Sequence, residues 1–238
     1  MIAVLISLGR QLWKHPSYQR VRMSLITPRA IVISLRKRIH KRRFHQRTRV
    51  EGTEKRWHLI KSRISGAKSL LDIGSNIGVL TETAARAGLF ALGLEADWQA
   101  VSVARRNCKP NLPLAYMHLA VTPSNVTALP TADVVLCLSV YHHWHRDFGH
   151  DGAQHILRML VSKAQQTLWF EPPSRRSKYW AMPPDFVDHD LNSIVEYNLG
   201  MLSEVASGAK VVFVGRTPAS EGEKFRCLFV IETAGVNR

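Results

Sequence analysis

One short segment of the chain, LLDIGSNIGVLTETAARAG, places an acidic residue just before a glycine-containing turn. Asp72 ends a predicted strand, and the turn after it carries Gly74 and Gly78 in the spacing Gly-x-x-x-Gly. Ser75 and Asn76 lie between the two glycines. Glycines let a backbone bend sharply and let a ligand lie against it. The spacing differs from the GxGxxG of dinucleotide-binding proteins, and a carboxylate at position 72 repels phosphate. The turn therefore favours a cationic ligand, such as the ammonium group of an amino acid.

This turn resembles motif I of the class I S-adenosylmethionine-dependent methyltransferases, D/E-x-G-x-G-x-G. It departs from the motif at Asn76, where many members have glycine, although some subfamilies also have Asn there. An Asn side chain at this place must point away from the methionine moiety or bond to it. The resemblance implies that the cofactor is S-adenosyl-L-methionine and that the turn binds it through Asp72, Gly74, Ser75, Asn76 and Gly78.

Three further residues are expected to line the same cofactor. Glu95 ends the second predicted strand, where a carboxylate can accept both ribose hydroxyls, and the resemblance assigns this role to it. Asp97 is the alternative. Ala120 follows the third strand, where relatives often place an acid for the adenine amino group, and here it is expected to pack against adenine. Ser139 leaves the fourth strand and is expected to face the methionine end.

Histidines are concentrated after the fourth predicted strand, where five of the eleven in the chain lie within 14 positions: His142, His143, His145, His150 and His155. Three interpretations stay open. A neutral imidazole can take the proton of a hydroxyl as its oxygen attacks the methyl group. Neighbouring imidazoles also suit zinc or iron, although we assign no metal ligand. The third interpretation is packing and surface histidines. Alternation along the chain favours His142 over His143 as the base.

The segment after the fifth predicted strand, FEPPSRRSKYW, offers a further acidic residue and three cations. Glu171 is a candidate catalytic residue with His142 and His143, because it can orient a substrate hydroxyl or hold a histidine. Arg175, Arg176 and Lys178 either grip an anionic acceptor or belong to a solvated loop. A phosphate or carboxylate acceptor would need no base, since it has no proton to lose.

Strand-like and helix-like segments alternate after residue 55 and predict where these residues lie. The predicted strands are 69–74, 90–96, 113–121, 132–140, 167–173, 210–216 and 225–232, and the helices are 80–88, 98–107 and 151–165. This alternation predicts an α/β, doubly wound, mostly parallel seven-stranded sheet with right-handed crossovers, the Rossmann-like methyltransferase fold. In such sheets ligands bind beyond the carboxyl ends of the strands, where the candidate residues fall.

Positive charge is concentrated at the start of the chain. Residues 1–50 contain 13 of the 33 Lys and Arg and none of the 18 Asp and Glu. We therefore expect a basic helical N-terminal extension over 1–55 and a near-neutral methyltransferase domain over 56–238. The extension would attract nucleic acid, acidic lipid headgroups or phosphorylated glycans, with a basic amphipathic helix at 30–44. No segment is long enough to span a membrane. The expected location is the cytoplasm, with peripheral binding to the inner face of the membrane as one use of residues 1–50.

Two stretches, LSVYHHW and FEPPSRRSKYW, bear on the methyl acceptor. They are similar to the methyltransferase domain of bacterial O-antigen chain-terminating enzymes, and also to the RNA 5′-phosphate methyltransferases of the bicoid-interacting type. The first resemblance implies O-methylation of a polar saccharide or glycan-linked acceptor near the membrane, which we favour. The alternatives are an RNA methyltransferase, including one that methylates a 5′-phosphate, and a non-catalytic cofactor-binding partner protein.

Overall fold

The computed structural model describes residues 50–172, 191–218 and 225–233. Its strands are β1 (Ser69–Ile73), β2 (Phe90–Glu95), β3 (Leu114–His118), β4 (Ala132–Leu138), β5 (Ala164–Glu171), β6 (Lys210–Thr217) and β7 (Arg226–Glu232). Its helices are α1 (Val50–Lys61), α2 (Val79–Arg86), α3 (Trp98–Asn107), α4 (Tyr141–Lys163) and α5 (Leu191–Val205), with a short 3-10 helix at Val126–Ala128.

The strands form one seven-stranded sheet in the order β3-β2-β1-β4-β5-β7-β6. Strands β1 to β5 pair in parallel, whereas β7 runs antiparallel to both β5 and β6. The predicted mostly parallel, doubly wound α/β sheet is confirmed. The strand order reverses between β1 and β4, and in such sheets the crevice beyond the carboxyl ends at this point is where ligands bind. The turn after β1 and the turn after β4 therefore face each other across the crevice.

Apolar side chains cover both faces of the sheet. One face packs against α4 and α5 through buried residues such as Leu157 and Leu202. The other packs against α1 and α2 through residues such as Ile60 and Ala84. The apolar run 134–138 of β4 follows from this arrangement, because a central strand covered on both faces offers few solvent-facing positions, and its charged residue, Asp133, lies near the start of the strand.

Helix α4 differs from its sequence-based prediction. It begins at Tyr141 rather than at residue 151, and it contains a break at Gly149, where φ is 72° and ψ is −176°. Tyr141 and Trp144 are buried in the core, and their packing holds the first turn of the helix. As a result His142 and His143 lie in a helical turn rather than in a loop.

Several predictions concern residues outside the described ranges. They are the basic amphipathic helix at 30–44, most of the extension over 1–55, and the cations Arg175, Arg176 and Lys178. Helix α1 runs across the domain boundary predicted at 55/56, and its Ile60 is part of the core. Within the described ranges, no helix combines the length and apolar character that a membrane crossing requires.

Candidate active site

The turn after β1 takes a left-handed backbone conformation three times in five residues. The φ angles are 73° at Gly74, 53° at Asn76 and 81° at Gly78. Gly adopts such angles without cost, and Asn is among the few other residues that tolerate them. The departure of this chain from the glycine-rich motif at Asn76 is thus compatible with the backbone that the motif requires. The amides of Gly74 and Ser75 both donate to the carbonyl of Leu94, which joins this turn to β2.

Both glycines of the turn also lie in close contact with other parts of the fold. A Cβ atom at Gly74 would lie 2.5 Å from Cγ2 of Val140, in the turn after β4. A Cβ atom at Gly78 would overlap the phenol of Tyr116, whose hydroxyl donates to the Gly78 carbonyl at 3.0 Å. Glycine is therefore needed at both positions for close approach as well as for conformation.

Asp72 lies beneath this turn and is 4% exposed. Its Oδ2 accepts a hydrogen bond of 2.7 Å from Oγ1 of Thr81, on α2. Burial is the main cause that raises the pKa of Asp72 to about 6, against the lowering effect of the Thr81 hydrogen bond and with a smaller raising effect from the nearby carboxylate of Glu95. A buried carboxylate of this kind is ready to receive a cationic group, which would restore its ordinary acidity.

Glu95 is held at the end of β2 by two backbone amides. Its Oε2 accepts from the amide of Asn76 and its Oε1 from the amide of Asp97, both at 2.8 Å. The carboxylate is thereby oriented beside the turn after β1. The carboxylate of Asp97 caps α3 instead, accepting from the amide of Gln99 at 2.9 Å. These contacts favour Glu95 over Asp97 as the acid that faces a ligand in the crevice.

A buried polar cluster lies beyond the carboxyl ends of β4 and β5. We call it the glutamate network, and its members are Arg56, Ser139, Glu171 and Arg226. Glu171 is fully buried. Its Oε1 accepts from the Ser139 hydroxyl at 2.5 Å and lies 3.4 Å from Nη1 of Arg226, which also donates to that hydroxyl at 2.8 Å. Its Oε2 forms an ion pair with Arg56, 2.6 Å from Nε, without the alignment of a hydrogen bond. Buried carboxylates are tolerated in proteins when they are paired in this way.

Two adjacent histidines follow this network on the first turn of α4, with their ring centroids 4.0 Å apart. His142 is buried, and its Nδ1 has no hydrogen-bond partner among the described residues. Burial, followed by the charges of His143 and Arg226, lowers its pKa to about 3. The pKa of His143 is lowered too, by burial and then by Arg146, although Asp147 and Glu95 oppose that change. Both imidazoles are therefore neutral near pH 7.

The remaining sequence-predicted residues are distributed around the same crevice. Ala120 follows β3, and its carbonyl accepts from the side-chain amide of Asn125 at 2.8 Å. The Ser75 hydroxyl is buried without a hydrogen-bond partner in the described part of the chain. Within residues 50–172, 191–218 and 225–233, no group of three or more His, Cys, Asp or Glu is arranged to hold a metal ion.

Three polar residues of this region were absent from the sequence-based prediction: Arg56, Thr81 and Arg226. The sequence could have predicted a partner for Arg226, because a cation at the start of an otherwise apolar strand is costly to bury unless an acidic or polar group pairs with it. Thr81 is spaced like a core position of α2, so nothing in the sequence indicates its bond to Asp72. Arg56 lies in a helix with many charged residues and offers no signal at all.

Several solved structures are similar to this fold, while no family model and no curated protein matches the chain. A structure of WbdD, described as a bifunctional kinase-methyltransferase, aligns with TM-score 0.60 and 17% identity over 75% of this chain. Magnesium protoporphyrin IX methyltransferase (ChlM) from Synechocystis PCC 6803, with SAM bound, aligns with TM-score 0.52 and 18% identity over 78% of this chain and 79% of its own. The N-terminal domain of EvdMO1, with SAH bound, gives TM-score 0.54 and 13% identity, covering 76% of this chain and 80% of that domain.

These likenesses show that the chain shares its fold with the WbdD and ChlM structures, and the predicted Rossmann-like methyltransferase fold is confirmed. The chain spans about 40% of the length of the WbdD chains that it matches.

Proposed function

We propose that this protein is an S-adenosylmethionine-dependent methyltransferase whose cofactor lies in the crevice between β1 and β4. The observation that carries the proposal is the pair of carboxylates at the turn after β1. Asp72 is buried beneath the turn with a raised pKa, and Glu95 is oriented beside it by two backbone amides. One acid suits an ammonium group and the other a pair of hydroxyls, as found on the methionine and ribose parts of the cofactor.

The residues of the crevice fit this cofactor. The left-handed turn from Gly74 to Gly78 leaves backbone exposed for a ligand to lie against, and Ser75 contributes a hydroxyl that lacks a partner within the described ranges. When bound, the cofactor would supply a methyl group carried on a sulfonium sulfur. Transfer of this methyl group would form a bond to the acceptor oxygen and break the C–S bond, and the electron pair of the broken bond would stay on sulfur. The protein contributes chiefly by holding the acceptor in line with that methyl group.

The acceptor would approach from the turn after β4, where His142 and His143 begin α4. A hydroxyl acceptor must lose its proton, and a neutral imidazole can receive it. The environment favours His143 over His142 for this role, contrary to the alternation argument. His142 is buried, and burial together with the charges of His143 and Arg226 lowers its pKa to about 3, which makes it a weak base. Glu171 is fully buried within that network, so its role is to position other groups.

For the acceptor itself, we propose O-methylation of a polar saccharide or glycan-linked molecule near the membrane. Support comes from the likeness to WbdD, a bifunctional kinase-methyltransferase, and from the LSVYHHW stretch at the acceptor side. A panel of short oligosaccharides, phosphorylated oligosaccharides and 5′-phosphorylated RNA, assayed by transfer of a labelled methyl group, separates the candidate acceptors. Labelling of RNA alone would overturn the saccharide proposal.

The direct test of the proposed activity is calorimetric binding of S-adenosylhomocysteine to the full chain. We expect one site per chain, with competition by S-adenosylmethionine. A matched titration with NAD should give no heat, because the carboxylate of Asp72 repels pyrophosphate. Absence of binding by both sulfur-containing ligands would rule the proposal out. Binding without transfer to any acceptor would favour the non-catalytic partner protein instead.

The raised pKa of Asp72 predicts that cofactor affinity depends on pH. Only the ionised carboxylate attracts the ammonium group, so affinity should rise between pH 5 and pH 7 and then level off. Asp72→Asn should flatten this profile. The same variant should stabilise the ligand-free protein at pH 7 by up to about 3 kcal/mol, because a raised folded-state pKa means that ionisation near neutrality opposes folding. A parallel pH profile in wild type and Asp72→Asn would contradict this account.

Residues 1–50, most of which lie outside the described residues, are proposed to bind an anionic membrane surface. Replacing six cations of the 30–44 segment by Gln in the full chain should abolish sedimentation with phosphatidylserine vesicles: Arg36, Lys37, Arg38, Lys41, Arg42 and Arg43. Cofactor affinity should not change. Wild-type binding should also weaken strongly between 0.1 and 1 M salt, since the screening length falls from about 10 to about 3 Å. Binding that resists salt, or that is equal with neutral phosphatidylcholine vesicles, would argue against an electrostatic arm.

A further inference from the structure

The turn between β4 and α4 contains a residue in an unfavourable backbone conformation. Ser139 has a φ of 59°, in the left-handed region that residues with a Cβ seldom adopt. Such conformations persist where the surroundings over-determine them, and they cluster at functional sites. Unlike Gly74 and Gly78 in the facing turn, Ser139 is neither glycine nor asparagine. Some other part of the fold must hold it.

The glutamate network supplies the contacts that hold Ser139. The backbone amide of Ser139 donates to the carbonyl of Glu171 at 3.0 Å, and its hydroxyl donates to the carboxylate of the same residue. Arg226 donates to that hydroxyl from the other side, while Arg56 pairs with the second carboxylate oxygen. Ser139 is therefore fixed at both its backbone and its side chain. The cations that complete the network come from α1 and from the start of β7.

The conformation of Ser139 bears directly on the cofactor crevice. Strand β4 ends at Leu138 and α4 begins at Tyr141, so Ser139 and Val140 make up the whole connection. The Val140 side chain lies against Gly74, so close that a Cβ atom there would be 2.5 Å away. A change at Ser139 would displace Val140 from the turn after β1. It would also rotate the first turn of α4, where the amide of His143 donates to the Val140 carbonyl at 2.9 Å.

We propose that Glu171, together with Arg56 and Arg226, is a positioning residue that holds Ser139 in its left-handed conformation and thereby seats Val140 against the cofactor-binding turn. This inference rests on the proposed function, because it assigns the network a role in cofactor binding. It makes Glu171 a support for the crevice rather than a group that touches the acceptor. The network also connects α1, the helix that begins at Val50, to the cofactor site.

Two substitutions at position 139 test whether the left-handed backbone of this residue, rather than its hydroxyl, matters for cofactor binding. Ser139→Ala and Ser139→Gly both remove the hydroxyl, but only glycine adopts a φ of 59° without a penalty. Calorimetry with S-adenosylhomocysteine should show that Ser139→Ala weakens binding by about tenfold, the effect of a modest strain penalty, while Ser139→Gly stays much closer to wild type. Equal losses in the two variants would overturn the proposal.

The rescue experiment concerns Glu171 directly. Glu171→Gln removes the charge at nearly constant volume and should weaken S-adenosylhomocysteine binding by about tenfold or more. Adding Ser139→Gly should recover most of that loss, whereas adding Ser139→Ala should not. If the ion pairs of Glu171 only stabilise the fold, Ser139→Gly should not rescue binding selectively. Unfolding temperatures measured on the same variants show how much of each loss of affinity comes from lost stability. The matched control is Glu232→Gln. Glu232 lies at the other end of β7 from Arg226, and its carboxylate lies near Arg63 and Lys210. The control should bind like wild type.

Amide hydrogen exchange tests the network without any ligand. The amides of Ser139 and His143 are both hydrogen-bonded in this turn, and Glu171→Gln should speed their exchange about tenfold relative to wild type. The control Glu232→Gln should leave them unchanged. If Glu171→Gln speeds the exchange of these amides but S-adenosylhomocysteine does not bind the wild type, the proposed function is wrong, whereas the role of the glutamate network in holding Ser139 is supported. If the wild type binds and Glu171→Gln changes neither exchange nor affinity, the network proposal is wrong.

Discussion

His143→Ala should lower the turnover of a hydroxyl acceptor by roughly 10²–10⁴-fold, the usual contribution of a general base. The residue lies on the first turn of α4, beyond the carboxyl end of β4, and is partly exposed. Its pKa is lowered by burial and by Arg146, so the imidazole is neutral at pH 7 and able to accept a proton. S-adenosylhomocysteine affinity should change little, because cofactor contacts are assigned to other residues. The measurement is single-turnover methyl transfer together with calorimetric binding.

The pH dependence sharpens this prediction. The rate should fall as the pH drops through the pKa of His143, which lies below the ordinary imidazole value of about 6.5. His155→Ala, on the same helix and farther from the crevice, is the matched control and should keep full turnover. His142→Ala should affect the rate less than His143→Ala, since a pKa near 3 leaves His142 a poor base. Near-normal turnover and a flat pH profile in His143→Ala would indicate an acceptor without a proton to lose, such as a phosphate or carboxylate.

The double variant Asp72→Ala/Glu95→Ala should lower cofactor affinity by roughly 10²-fold or more. Each carboxylate is expected to make charge-assisted hydrogen bonds, worth about 1.5–3 kcal/mol each. The combined loss should exceed the sum of the two single losses, because the charge of Glu95 raises the pKa of Asp72, so that Glu95→Ala alone improves the ionisation of its neighbour and offsets part of its own loss. Calorimetry on the two single variants and the double variant measures this coupling.

Asp151→Ala is the control for that cycle, because it removes an exposed carboxylate of α4. It should bind S-adenosylhomocysteine like the wild type. Thermal unfolding of each variant checks that the crevice remains folded. At pH 7, we expect Asp72→Ala to lose no more stability than the loss of the Thr81 hydrogen bond accounts for. Unchanged affinity in the double variant would mean that the cofactor does not lie in this turn.

The amino-acid sequence was sufficient to predict the sheet and to place the candidate cofactor-binding residues at the ends of its strands. Residues 134–138 of β4 are all apolar because both faces of the strand are covered, and the alternation of strands with helices leaves few topologies open. Asp72, the turn from Gly74 to Gly78 and Glu95 are local features, each within a few residues of a strand end. Local features of this kind are readable because the chemistry depends on spacing along the chain.

What the sequence could not determine is how residues far apart in the chain share one environment. Glu171 looked like a candidate for contact with the acceptor, but Arg56 and Arg226 surround it in the folded chain, 115 positions before it and 55 after it, respectively. His142 and His143 are neighbours with the same side chain, and only burial beside Arg226 makes one of them the weaker base. Ionisation depends on desolvation and on charges brought near by folding, and neither is encoded in local spacing. The sequence therefore determined the fold and the expected cofactor turn, whereas the tertiary structure decided which of the polar side chains beyond β4 are held in a network and which face the crevice.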